Sequence, residues 1–136
     1  MFIEIEELKT HCREAKLKRI IENDETIALA ALDMAIDFAS SKLMKTYDTG
    51  AIFSATDCDR SPLLVKFIKD IAIWEIITLA TPGIDYEDKK FRYQEAVNWL
   101  TAVYKGMPAN LPRLMEEEKG VKSFSYHSNP PRKNYY

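Results

Sequence analysis

Glycine and cysteine are scarce in this chain, and proline comes late. There are four glycines, two cysteines and six prolines, the prolines being Pro62, Pro82, Pro108, Pro112, Pro130 and Pro131. A proline-free first half favours helices, because proline breaks the backbone hydrogen-bond ladder. Cys12 and Cys58 have no metal-type spacing and are too few for a disulfide scaffold, so reduced thiols are expected. The two histidines, His11 and His127, sit at opposite ends, outside any Glu-x-x-His or His-Glu-x-x-His pattern. A glycine-rich phosphate loop is missing. The start, MFIEIEELK, carries acids where a signal peptide needs a basic stretch and an apolar run, so nothing here directs export. Charge of either sign is also nearly balanced: the formal net charge of -2 provides no global attraction to nucleic acid or anionic lipid.

The 136 residues suit one domain with a real core, followed by a tail. Hydrophobic residues make up 46% and charged residues 29%, the balance of a soluble globular protein. The most apolar stretch is SPLLVKFIKDIAIWEIITLAT, Ser61 to Thr81. At about 100° per residue its apolar positions go almost all the way round a helix, which must then be covered on most sides. It has the length of a membrane span, but Lys66, Lys69, Asp70 and Glu75 would each cost about 2.5 to 3.5 kcal/mol at mid-bilayer. The expectation is a buried core helix and no membrane.

Two short helices are expected first, one ending near Cys12 and one from about Glu14 to Glu22. Asn23 and Asp24 are cap residues, and the helix they open should continue to about Tyr47, with Ile27, Ala31, Leu32, Met34, Ala35, Ile36, Phe38, Ala39 and Leu43 inward. Asp48 to Arg60 reads as a long loop, and Ser61 with Pro62 as the cap and first turn of the central helix. Thr81, Pro82 and Gly83 stop that helix. A last helix should run from about Asp85 to Lys105, stopped by Gly106, with Tyr93, Ala96, Val97, Leu100, Val103 and Tyr104 on one arc. Trp99 lies roughly a quarter turn off that arc. The fold class is therefore all-α: a bundle of about five helices, two short and three longer, around a central buried helix. Residues 1–106 form the domain, and residues 107–136 a linker and extended C-terminal arm.

Constellations for chemistry are poor, so no catalytic residue, cofactor site, metal site or small-molecule substrate is expected. Asp57, Cys58 and Asp59 lack the rest of a calcium loop. His11 and Cys12 point about 100° apart on a helix. Asp33 and Asp37 stand one turn apart and read as a solvated polar stripe. Around the central helix, Lys66, Lys69 and Asp70 share one side, whereas Glu75 projects from the opposite, apolar side and needs a partner or a rim position. An internal partner is the simpler reading, an intersubunit one the alternative. In the tail, Phe124, Tyr126, Arg132, Lys133 and Tyr135 interleave basic and aromatic groups. Such a segment suits an arm that orders on a protein neighbour, or one that binds nucleic acid through phosphate contacts and stacking.

Three stretches in this order, AIDFASSKLMKTYDTG (Ala35 to Gly50), SPLLVKFIKDIAIWEI (Ser61 to Ile76) and FRYQEAVNWLTAVYKGMPANL (Phe91 to Leu111), resemble the Mu-like phage and prophage family of small helical head-to-tail connector proteins. These are adaptor or head-completion proteins. The resemblance implies a virion subunit, assembled in the bacterial cytoplasm, that forms a homo-oligomeric ring between portal and tail. Its partners would be its own copies and the portal and tail-completion proteins, with DNA met only indirectly through the ring lumen. It transfers no catalytic residues. The interface residues expected from the sequence are Glu75, Trp99, Phe124, Tyr126, Arg132, Lys133 and Tyr135. A helical nucleic-acid-associated module using the basic aromatic tail is the alternative.

Overall fold

Among the described residues six α-helices follow one another: α1 (Ile5–His11), α2 (Ala15–Asn23), α3 (Glu25–Leu43), α4 (Thr49–Ser54), α5 (Pro62–Ala80) and α6 (Glu87–Tyr104), with a 3-10 turn at Asp57–Asp59 before α5. The computed structural model describes residues 2–11, 15–80 and 87–114. Among these the fold is all-α, and the only extended pairing is an isolated antiparallel bridge between Tyr47 and Arg113.

The core is a three-helix layer in which α5 packs along α3 on one side and α6 on the other, while α3 and α6 also touch. Its composition follows from the apolar wheel of α5, where Leu64, Ile68, Ile71, Ala72, Ile76 and Ile77 are buried. Facing them, α3 contributes Ala28, Ala31, Leu32, Ala35, Ala39 and Leu43, a small-residue stripe that lets the helices approach closely. Two aromatic rungs join α5 to α6. Phe67 meets Trp99 with ring centroids 5.2 Å apart, and Trp74 stacks on Tyr93 at 5.9 Å. The residue order of these rungs makes the two helices antiparallel. No described helix is long and apolar enough to cross a membrane.

Local chemistry sets most helix ends. Asp24 caps α3 by accepting from the Thr26 amide and hydroxyl. Ser61 caps α5, its hydroxyl accepting from the Leu64 amide at 3.4 Å, with Pro62 in the first turn. Helix α6 ends in paired bonds, Gly106 N–H to Val103 O at 3.1 Å and Met107 N–H to Ala102 O at 3.0 Å, which require the left-handed backbone that Gly106 adopts at φ 124°.

Five expectations are corrected. Met34 and Tyr104, expected inward, are 46% and 45% exposed. Helix α3 stops at Leu43 rather than near Tyr47. Tyr47 instead enters the core, 2% exposed, and its hydroxyl accepts the Ala109 amide at 2.9 Å. The expected loop after it contains α4, capped by Asp48 through the Ala51 amide at 3.2 Å. Six residues cannot hold a helix alone, but Ile52 is buried and Phe53 sits edge-on to Phe2 at 5.0 Å. Asp70, placed by its wheel position on a polar face, is only 4% exposed.

Residues 107–114, read from the sequence as the start of a linker, lie back on the domain. Asp48 N–H bonds Pro112 O at 2.9 Å, Leu114 N–H bonds Thr46 O at 3.2 Å, and Ala109 and Leu111 pack against the core.

Candidate interaction surfaces

Burial of Asp70 creates a polar junction between α1, the 3-10 turn and α5. The His11 Nε2 lies 2.7 Å from Asp70 Oδ1, and Lys66 Nζ lies 3.2 Å from Oδ2. Because a carboxylate only accepts, the His11 Nε2–H is the donor. Burial works to raise the Asp70 carboxyl, but the hydrogen bonds from His11 and Lys66 outweigh it and hold the group below its ordinary value. One turn away, the Arg60 guanidinium donates to Glu7 at 2.9 and 3.1 Å and to the Phe2 carbonyl at 2.8 Å. That hydrogen bond is the main cause holding the Glu7 carboxyl below, and the Arg60 guanidinium above, their ordinary values. Lys69 approaches Glu7 at 3.9 Å.

Above this junction opens a cleft of about 460 Å³, lined among others by His11, Cys58, Arg60, Lys66 and Lys69. Each of its cations already faces a carboxylate, so the arrangement clamps α1 and the turn onto α5. Cys58 is exposed at its edge as a free thiol. Among the described residues, no three His, Cys, Asp or Glu side chains converge in the manner of a metal site.

A different chemistry gathers at the far ends of α3 and α6. Lys42 Nζ and Lys45 Nζ lie 5.4 and 5.1 Å from the Tyr104 ring centroid, and Lys42 is also 5.8 Å from the Phe38 ring. The Arg113 guanidinium stands 5.4 Å from the Tyr47 ring, held nearby by the Leu114 to Thr46 bond. Met44 is 60% exposed, Tyr104 45% and Met107 39%. Among the described residues, no carboxylate comes within ion-pair distance of Lys42, Lys45, Lys105 or Arg113. Aromatic faces hold the two lysines in place, leaving a cationic pole with apolar groups set among its charges.

The opposite sign occupies the end of α2, the cap of α3 and the rest of α3. From Ile20 to Ser41 the chain has Glu22, Asp24, Glu25, Asp33 and Asp37 and neither lysine nor arginine. All five carboxylates are exposed, with Leu29 and Met34 exposed among them.

Of the interface residues expected from the sequence, two are described. Trp99 lies half-buried against Phe67, inside the α5–α6 contact rather than displaced from it. Glu75 is partly exposed on α5, and no described cation pairs with it. Phe124, Tyr126, Arg132, Lys133 and Tyr135 lie outside the described residues, as does the acidic run Glu116 to Glu118. Lys42, Lys45 and Arg113 belong to no sequence motif, and Tyr104 was expected on the apolar arc of α6. The spacing of Lys42 and Lys45 at the end of a helix was visible, but their meeting over Tyr104 needs the α3–α6 packing. Comparison with protein-family models, curated proteins and solved structures finds no match to this chain.

Proposed function

We propose that this chain is a structural subunit of a phage or prophage virion, a head-to-tail adaptor that assembles with copies of itself between portal and tail. The observation that carries the reading is the pole formed by Lys42, Lys45, Tyr104, Met44 and Met107. It presents apolar and cationic groups together, with no carboxylate of the described subunit to pair them. Surfaces that mix exposed large apolar side chains with aromatic anchors are those proteins use to hold other proteins. The three stretches that resemble the connector family contribute to α3, α5 and α6, the helices that build the core, and the ends of α3 and α6 present this pole. Such a subunit works by geometry: rigid helices fix the positions of contact surfaces, and repeated contacts build the assembly.

Binding to a portal assembly, followed by sedimentation and negative-stain imaging, tests the reading. Co-sedimentation of many copies with one portal ring is the expected result. Absence of binding to a cognate portal overturns it, and so does steeply salt-dependent binding to duplex DNA with no protein partner, the behaviour of a nucleic-acid module.

A further inference from the structure

We infer that the cationic pole of one subunit docks on the acidic stripe of α3 in a second copy of the same chain, a head-to-tail contact that rests on the self-assembly reading above. The pole is Lys42 and Lys45 on Tyr104 with Met44 and Met107 beside them; the stripe is Asp33 and Asp37 with Leu29 and Met34.

Two like-charge pairs have no ion-pair partner among the described residues. Asp33 and Asp37 are one helical turn apart, where like charges repel by about 0.2 to 0.5 kcal/mol. Among the described residues, neither is within ion-pair distance of a cation. Helix polarity accounts for Glu25 in the first turn of α3 and Lys42 in the last. It does not account for Asp33 and Asp37, which lie mid-helix, beyond the reach of the terminal partial charges. Lys42 and Lys45 repeat the pattern with the opposite sign, both drawn to one tyrosine ring. Each pair therefore sets like charges side by side, and each supplies the ion-pair partner that the other has not found among the described residues.

Geometry decides the kind of contact. Lys42 and the two aspartates are roughly 160° apart around α3 and about 10 Å apart along it, from helical rise and twist, and Lys45 follows in the turn after the helix. Surfaces so divergent cannot both face one partner, as a two-fold dimer requires. Each must meet a different neighbour, which makes the contact heterologous and lets it repeat around a closed ring. The exposed methionines suit it as well, because flexible thioether side chains adapt to an apolar neighbour. A phosphate backbone is the poorer occupant: the chain's net charge is -2, and Glu25, Asp33 and Asp37 stand on the same helix as Lys42.

A charge-swap experiment tests the contact. One variant carries Lys42→Glu and Lys45→Glu, the other Asp33→Lys and Asp37→Lys; all four side chains are at least partly exposed, and circular dichroism checks that both variants fold. Sedimentation velocity at rising concentration should show salt-sensitive self-association of the wild-type chain. Each variant alone should lose it by at least tenfold in concentration. An equimolar mixture should regain it, since the reversed pole of one variant now matches the reversed stripe of the other. Overturning results are association unaltered in both variants, no recovery in the mixture, a wild-type chain that stays monomeric up to millimolar concentration, or a pole whose loss removes binding to duplex DNA and nothing else. Portal binding is scored separately. Retained portal binding without recovery in the mixture refutes this contact alone, while loss of portal binding by the wild-type chain refutes the adaptor reading.

Discussion

Replacing Asp70 by Asn tests whether the buried junction holds α1 on α5. Asparagine keeps the volume and still accepts one hydrogen bond from His11, so the change removes charge rather than packing. A hydrogen bond to a charged group contributes about 1.5 to 3 kcal/mol, and the His11 bond, 2.7 Å long beside a carboxylate side chain 2% exposed, belongs to that class. The Lys66 bond is discounted to roughly 0.2 to 1 kcal/mol because that lysine is half in water. Allowing for what asparagine retains, the expected loss is about 2 kcal/mol near neutral pH. Urea unfolding monitored by circular dichroism measures it.

The pH dependence has a definite sign. The folded-state carboxyl of Asp70 lies below its ordinary value of 3.8, so its contribution is complete above that value and fades as pH falls below it, through the folded-state value. The gap between wild type and variant should therefore close as pH falls below about 3.8. A variant as stable as the wild type at neutral pH, or a gap unchanged in strong acid, refutes the reasoning.

Two further substitutions probe the C-terminal return. Tyr47→Phe keeps the buried ring but leaves the Ala109 amide without its acceptor, a loss of about 1 to 2 kcal/mol; hydrogen exchange at Ala109 should quicken, and an unchanged rate would show that residues 107–114 are held by other means. Gly106→Ala meets no atom within 4 Å, so its expected cost of about 1 to 2 kcal/mol is purely backbone, from forcing alanine to a positive φ. A thermal melt indistinguishable from wild type would contradict that account.

The class of the fold and most of its helix ends were legible in local residue patterns. The near-continuous apolar wheel of Ser61 to Thr81 demanded burial on most sides, and the structure buries α5 between α3 and α6. Asp24, Ser61 and Gly106 were readable as helix ends because capping depends on neighbours a few residues away. Tertiary structure alone decided what lay beyond local reach. A helical wheel grouped Asp70 with Lys66 and Lys69, yet α1 covers that face, and the histidine that pairs with Asp70 comes from 59 residues earlier. Helix α4 has too few residues to show a period and forms against the core, with Phe53 on Phe2. Trp99 looked displaced because the arc on α6 was drawn for one contact, whereas α6 packs on both α5 and α3. The cationic pole was hidden for a related reason. Lys42 and Lys45 read as two unremarkable charges at a helix end, and only the arrival of Tyr104 beneath them turns two separate side chains into one surface.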